Sequence, residues 1–268
     1  MAEELKRKTV GLALGSGGFR GPAHVGVIKA LIANGIPIDY IAGASIGAWV
    51  GAHYALYQDV EKLENDFLKK QREKIAMFSD ISRKGGLIRG EVIEKFLRKL
   101  FNGAEFKNTE IPIKIVATDL ISGDQVIFQK GDLAQAVRAS ISIPMTFKPF
   151  VFKDKLLVDG GLSNPVPDSI VKDMGADIVI GVNLYNKYKY ENKASMVNVV
   201  MRGVEIILYN LTKSNTHRCD ILIEPDTSEF YKTSKLKKYF DDSYVEQILH
   251  QGELATEALI PKIKDLLK

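Results

Sequence analysis

The stretch YIAGASIGAWVGAHYAL, residues 40–56, passes from a short apolar run through one serine into a helix-like pattern. Ser45 stands between Gly43 and Gly47, so the stretch contains the pattern G-x-S-x-G. On a strand-to-helix turn of this kind the serine hydroxyl is exposed above the sheet, and small neighbours relieve the crowding of the turn. The stretch therefore predicts a strand–turn–helix unit with Ser45 as a nucleophile, against the alternative of a glycine-rich helix start.

Further apolar runs of similar length recur along the chain and alternate with helical patterns. Unbroken apolar strands are typical of a sheet that is covered on both faces, so the predicted class is α/β. One intervening helix is predicted to begin at Pro22 and to stop at Gly35. The predicted strands are TVGLAL (9–14), YIAGA (40–44), IKIVATDL (113–120), DIVIGVNL (177–184) and DILIEP (220–225).

Two polar turns, at 121–125 and 152–155, separate β-like runs closely enough to indicate hairpins. They predict that the sheet is mixed. With helices covering both of its faces, the expected architecture is a three-layer α/β/α arrangement around a mixed, mainly parallel sheet. We find no linker-like, repeated or low-complexity segment, so one domain over residues 1–268 is expected. The charged helical pattern at 59–90 is interpreted either as a solvated helix face or as a mobile cover.

Composition restricts the function classes. The net charge of +4 is too small to indicate a nucleic-acid partner, but it is compatible with transient attraction to an anionic membrane surface. The single cysteine, Cys219, excludes an intramolecular disulfide and favours a reducing cytoplasm. Neither a secretory signal nor a run of about 18 apolar residues is found, so a cytoplasmic protein, at most peripheral to the membrane, is expected.

The glycine-rich segment GSGGFRG, residues 15–21, follows the first predicted strand and precedes a helix. Backbone N–H groups of Gly17 and Gly18 in such a loop can converge on one oxyanion. A dinucleotide-binding turn instead requires glycines at its first, third and sixth positions, and here the sixth position is Arg20. The oxyanion loop is therefore favoured, while Asp39, an acid further along the chain, keeps the dinucleotide alternative open.

A serine nucleophile needs a base, and histidine is the usual one. His53 lies eight residues beyond Ser45 on the same predicted helix, about 12 Å along its axis, which is out of reach. His24 falls in the first turn of the helix after the glycine loop and can approach the site, although a histidine there is typical of a helix surface or interface. His217 and His250 fall in polar helical surroundings without a neighbouring carboxylate pattern.

Carboxylates are the other candidate bases. Asp159 follows an apolar run and precedes Gly160 and Gly161, whose turn would hold it tightly. The same residue is also interpretable as a turn aspartate that accepts hydrogen bonds from its own backbone. Asp119 is a rival acid of the same kind.

Two further features concern ligands. No cluster of His, Asp, Glu and Cys has ligand spacing, so neither a metal nor another cofactor is expected. The segment SISIPMTFKPF, residues 140–150, offers apolar and aromatic side chains either for an acyl pocket or for ordinary core.

Five motifs, taken in their order, resemble the patatin-like phospholipase family, in particular its bacterial members similar to neuropathy target esterase. The resemblance covers a motif-bearing core of about residues 8–185, followed by a C-terminal strand and helices in 186–268. It implies a patatin-like fold and a Ser-Asp dyad, without histidine, that hydrolyses acyl esters of phospholipids or lysophospholipids. The motifs are GSGGFRG (15–21), GASIG (43–47), ATDLISG (117–123), ASISIPMTFKP (139–149) and VDGGLSNPVP (158–167).

Carried over by position, the resemblance makes Ser45 the nucleophile and Asp159 the base. The other positions carried over are Gly17, Gly18 and Phe19 in the oxyanion loop, Arg20 in the family's basic position, Gly43 and Gly47 around the serine, and Gly160 and Gly161 after the aspartate. The chain departs from the family at Ser16, where a third glycine is frequent, although a donor N–H exists at Ser16 whatever its side chain.

The partner implied is a lipid acyl ester. A non-catalytic binder of lipid or nucleotide on the same scaffold is the alternative. The sequence does not indicate an oligomeric state.

Overall fold

Strands and helices alternate along the chain in the computed structural model, which describes residues 7–68, 80, 88–185, 196–228 and 241–268. The strands are β1 (Val10–Leu14), β2 (Tyr40–Ala44), β3 (Ile113–Asp119), β4 (Gln125–Phe128), β5 (Phe150–Phe152), β6 (Lys155–Val158), β7 (Ile178–Val182) and β8 (Ile221–Ile223). The helices are α1 (Pro22–Ala33), α2 (Ile46–Tyr57), α3 (Val60–Leu68), α4 (Glu91–Leu100), α5 (Leu133–Ser140), α6 (Asp168–Asp173), α7 (Met196–Asn215), α8 (Asp242–Glu257) and α9 (Ile260–Leu267).

The strands form one sheet in the order β5-β6-β3-β2-β1-β7-β8, with β4 also paired to β3. Neighbours from β3 to β8 in this order are parallel, whereas β4, β5 and β6 pair in antiparallel fashion. Both predicted hairpins, β3–β4 and β5–β6, are therefore confirmed, as is the mixed, mainly parallel sheet.

Side chains along the parallel strands alternate between two cores. Leu12 and Leu14 of β1 belong to the larger core, whereas Ala13 belongs to the smaller one, together with Ile170 and Val171 of α6. The larger core also contains apolar side chains of α1, α2, α5 and α8. Since each fully buried aliphatic side chain contributes about 1.5–3 kcal/mol, both faces of the sheet must stay covered, which explains the unbroken apolar strands.

The helix predicted after the glycine loop begins at Pro22 and ends at Ala33, and Gly35 follows with a φ of 71°. Pro22 needs no N–H partner at the first helical position, and Gly35 adopts the left-handed conformation without strain. Of the predicted charged cover at 59–90, the structure describes α3 and the residues at 80 and 88–90. The rest of that prediction lies outside the described residues.

Candidate active site

Ser45 occupies the turn between β2 and α2. Its backbone has φ 54° and ψ −123°, which a non-glycine residue adopts at a cost of about 1–3 kcal/mol. The N–H group of Ser45 donates to Ser140 Oγ at 2.8 Å, and the Ser140 hydroxyl donates to the carbonyl oxygen of Val116 at 2.6 Å. The buried Ser140 therefore links the strained turn to β3.

Gly43 and Gly47 leave room for this turn. A Cβ atom on Gly43 would lie 2.6 Å from Cα of Ala48, and one on Gly47 would collide with the carbonyl group of Leu14. Either side chain would push α2 away from the strands. The two glycines therefore permit α2 to begin directly beside β1 and β2.

Asp159 follows β6 and lies directly opposite the serine. Its Oδ2 atom accepts a hydrogen bond from Ser45 Oγ at 2.5 Å, and its Oδ1 atom accepts one from the N–H group of Gly161 at 2.8 Å. The backbone of Asp159 is also held, because its N–H donates to the carbonyl oxygen of Ser142 at 3.0 Å and its carbonyl oxygen accepts from Thr118 Oγ1 at 2.8 Å. Asp159 thus makes the predicted turn contact and contacts the serine with its other oxygen.

Burial changes the proton affinity of this carboxyl group. Asp159 is 7% exposed and Ser45 is 3% exposed. Loss of hydration raises the pKa of Asp159 to about 6, although the hydrogen bonds from Ser45 and Gly161 act in the opposite direction. The carboxylate is therefore more basic than an exposed aspartate and still ionised at neutral pH.

The glycine loop lies at the same cavity as the serine and the aspartate. Gly18 has a φ of 57°, which glycine tolerates, and it begins a short 3-10 turn that ends at Arg20. Among the described residues no acceptor is found for the N–H group of Gly17 or of Gly18. These two groups are therefore available to bind an oxyanion in the cavity.

Arg20 fixes the orientation of this loop. Its Nε donates to the carbonyl oxygen of Gly17 at 2.8 Å, and its guanidinium group lies 4.4 Å from the centroid of the Tyr185 ring. In a trans peptide the C=O and the following N–H point in opposite directions. Anchoring the carbonyl of Gly17 to Arg20 therefore directs the N–H of Gly18 away from Arg20.

The predicted donor at Ser16 does not take part. Its N–H group donates to the carbonyl oxygen of Pro165 at 2.8 Å, and its Oγ donates to the Tyr185 hydroxyl at 3.3 Å. The donor N–H that the sequence places at Ser16 is thus already bound within the protein, where it closes the loop onto the segment after Asp159.

A cavity of about 270 Å³ extends from the serine, the aspartate and the glycine loop, and most of its lining is apolar. Phe19, next to the glycines, belongs to this lining. Sequence alone left residues 140–150 open as acyl pocket or as core. The structure divides them between the core and the lining of this cavity. Ser140 and Ser142 are buried. The cavity is lined by Ile141, Ile143, Pro144, Met145, Thr146 and Phe147.

Arg138, on α5, holds this lining segment in place. Its Nη1 donates to Ser142 Oγ at 2.7 Å, its Nη2 to the carbonyl oxygen of Lys148 at 3.3 Å, and its Nε to the carbonyl oxygen of Gly90 at 3.1 Å. Ser142 is also the residue whose carbonyl oxygen binds the amide of Asp159. One buried guanidinium group thus supports both the cavity wall and the backbone next to the carboxylate.

The other predicted acids and histidines lie apart from the Ser45–Asp159 pair. His24 is fully buried rather than at a helix surface. Its Nε2 binds the carbonyl oxygen of Gly15 at 2.7 Å, and burial lowers the pKa of its imidazole to about 4. His53 is bound to Asp66 at 2.9 Å. His250 lies on the surface of α8.

His217 was predicted to lie in helical surroundings, but it lies just beyond the end of α7. Asp119 closes the turn between β3 and β4, where it accepts from Lys155 Nζ at 2.9 Å and from the N–H group of Ile121 at 3.1 Å. These contacts make Asp119 a turn residue.

Four contributions to the site were not predicted from the sequence: the anchors Ser140 and Arg138, the ring of Tyr185, and the side of α7 formed by Val204, Glu205 and Leu208, which lines the cavity. Ser140 lies within the motif at 139–149, so the sequence offered a signal that this residue belongs near the site. The lining residues of α7 offered no such signal, because a local sequence pattern does not show which cavity a helix borders.

In the part of the chain that the structure describes, no group of three or more His, Cys, Asp and Glu side chains is arranged to hold a metal ion. No helix there is long and apolar enough to cross a membrane.

Comparisons with known proteins agree with this architecture. The family model for patatin-like phospholipases matches residues 12–170. The crystal structure of VipD from Legionella pneumophila superimposes with a TM-score of 0.56 at 16% identity, over 96% of this chain and 67% of that one. The predicted patatin-like fold is thus confirmed.

Relatives in other organisms are longer than this chain. An uncharacterized NTE family protein of Mycobacterium tuberculosis is 39% identical over 175 residues, which are 65% of this chain and 49% of the relative. Lysophospholipase NTE1 of Pyricularia oryzae is 32% identical over 188 residues, 69% of this chain and 12% of that protein. The chain therefore spans about half the length, or less, of these relatives.

Proposed function

Because the chain belongs to the patatin-like phospholipase family, we propose that it is a serine acyl hydrolase that cleaves ester bonds of phospholipids or lysophospholipids. The observation that carries this proposal is the 2.5 Å hydrogen bond between Ser45 and Asp159 beside an apolar cavity. A hydroxyl paired with a buried carboxylate of raised pKa is what nucleophilic catalysis requires, and the cavity accepts an acyl chain.

The proposed reaction has two steps. Asp159 accepts the proton of Ser45 while Ser45 Oγ attacks the ester carbonyl carbon, and the N–H groups of Gly17 and Gly18 bind the oxyanion. Asp159 then returns this proton to the departing alcohol, which leaves an acyl group on Ser45. In the second step Asp159 takes a proton from water, the resulting hydroxide attacks the acyl group, and the free acid departs as Ser45 regains its proton.

The C-terminal part of the chain is proposed to belong to the same domain as the motif-bearing core. Two observations support this: β8 extends the sheet beside β7, and α8 packs against α1. We propose a cytoplasmic setting, in line with the single cysteine, and a lipid ester as the partner.

Release of p-nitrophenol from p-nitrophenyl butyrate tests the proposed reaction, because this soluble ester needs no lipid surface. Turnover is expected, whereas a non-catalytic lipid or nucleotide binder would give none. Fatty-acid release from phosphatidylcholine and from lysophosphatidylcholine, measured side by side, then distinguishes the two lipid classes.

The pH dependence of kcat/KM should follow the ionisation of Asp159. Only the carboxylate accepts the Ser45 proton, so the rate should rise with pH, level off above a midpoint of about 6, and fall about tenfold per unit below it. The measurement uses the soluble ester between pH 4.5 and 8.5, with each sample returned to pH 8 to show that no enzyme was lost. A profile that stays flat down to pH 4.5 would contradict a catalytic base with the raised pKa of Asp159.

A further inference from the structure

The outer side of α7 carries an apolar surface that the proposed mechanism does not use. Each member has another member three, four or seven residues away, so they share one side of the helix. Gly203 lies in the middle of this side, and a Cβ atom there would meet nothing within 4 Å. The surface, called the α7 face below, consists of Met196 (86% exposed), Val199 (54%), Val200 (42%), Ile206 (44%) and Ile207 (65%).

The opposite side of the same helix borders the candidate active site. Val204, Glu205 and Leu208 line the cavity that contains Ser45. One helix therefore separates the cavity from an exposed apolar surface. Met145, another lining residue of the cavity, is 49% exposed and adds a second apolar group that reaches both the cavity and the outside.

The α7 face carries no charge. The stretch from Met196 to Ile207 contains two charged residues, Arg202 and Glu205, which are both less exposed than the apolar members and pair with each other at 3.6 Å. Specific protein interfaces need about one hydrogen bond per 100–200 Å². The five members of the α7 face are all apolar, and the exposed Asn210 lies one turn beyond Ile207, at the end of the face. The α7 face is instead suited to a fluid apolar phase.

We infer that the α7 face docks on a lipid surface, an inference that rests on the proposed function. Helices with one apolar side lie in the plane of a membrane interface and bury that side at the boundary of the acyl chains. In this orientation the wall of the cavity rests on the lipid from which an acyl chain has to enter. The net charge of +4 adds attraction to anionic lipid.

Vesicle binding tests this inference without turnover. The test protein carries Ser45→Ala, so that the lipid stays intact, and is floated with vesicles of phosphatidylcholine alone or with added phosphatidylserine. Adding Val199→Glu and Ile207→Glu should lower the partition coefficient by at least about tenfold in both kinds of vesicle. The matched control, Ile32→Glu with Leu254→Glu, alters two apolar residues that are 39% and 44% exposed on α1 and α8, and should bind as before.

Two further measurements separate the possible outcomes. With Ser45 intact, Val199→Glu with Ile207→Glu should keep turnover of the soluble ester within about twofold, which shows a folded site, and lose turnover of vesicle lipid.

Equal partition of the α7 and control variants into the vesicles would overturn the inference. So would a dimer, seen by sedimentation, that the α7 variant converts to monomer, because the face would then bind a second copy. Absence of soluble-ester turnover in the wild type would refute the proposed function alone, since vesicle binding is measured independently.

Discussion

Ser45→Ala should lower kcat for a soluble acyl ester by at least about 10⁴-fold. The substitution removes the oxygen atom that attacks the ester and leaves the rest of the turn unchanged, since the N–H group of Ser45 that binds Ser140 is retained. What remains is the oxyanion loop and the cavity, which together give only a small part of the acceleration.

Ser16→Ala is the matched control for this variant. Ser16 is a second buried serine, within the glycine loop, but its hydroxyl is bound to Tyr185 rather than to a carboxylate. We expect its turnover to stay within about tenfold of the wild type, because only a neutral hydrogen bond is lost. If Ser45→Ala kept wild-type turnover in folded protein, Ser45 would not be the nucleophile.

Asp159→Asn should lower kcat by about 10²- to 10⁴-fold, the usual contribution of a general base. The amide retains the shape of the carboxylate, and its oxygen can still accept the hydrogen bond from Gly161. It cannot take the proton of Ser45. The loss should appear equally in kcat and kcat/KM, because the cavity that binds the acyl chain is unchanged.

The same variant should be more stable than the wild type at neutral pH. Burial raises the pKa of Asp159 from 3.8 to about 6 in the folded protein, so an ionised carboxylate destabilises the fold by up to about 3 kcal/mol. Asparagine removes this cost. The advantage should be nearly full above pH 6 and shrink as the pH falls from about 6 to about 4. It disappears below the unfolded pKa of 3.8, where the wild-type carboxyl is neutral in both states. Thermal unfolding at pH 7.5 and pH 4 measures the difference and also shows that the inactive variant is folded.

Three further variants serve as controls for the choice of base. Asp119→Asn should lower the melting temperature more than turnover, because it removes the ion pair with Lys155 that joins the ends of β3 and β6. His24→Ala and His53→Gln should retain most of the activity, since neither ring contacts Ser45 or Asp159. Loss of turnover in any of these folded variants, with Asp159→Asn still active, would mean that the base is misassigned.

Local patterns predicted the strands and turns because their causes are local. Leu12 and Leu14 alternate with Ala13 between two cores, which requires a run that is apolar throughout. Pro22 and Gly35 bracket a helix through backbone geometry alone. The strand–turn–helix at Ser45 follows from the same kind of local constraint.

The pairing of Ser45 with Asp159 depends on topology and not on local pattern. These residues are 114 positions apart and meet because β6 pairs with β3, which in turn lies beside β2. No periodicity encodes that strand order, and for this reason the residues alone left the base undecided, whereas the family resemblance assigned it to Asp159. The burial of His24 and the use of the Ser16 amide likewise depend on long-range contacts.

The central claim is that Ser45 is a nucleophile activated by Asp159, and covalent trapping tests it most directly. An alkyl fluorophosphonate forms a stable tetrahedral adduct with an activated serine, and peptide mass mapping identifies the residue that carries it. We predict one adduct per chain, on Ser45, which forms much more slowly in Asp159→Asn and is absent from Ser45→Ala. Labelling of Ser45→Ala at the wild-type level, or an adduct on another residue of the wild type, would contradict the account.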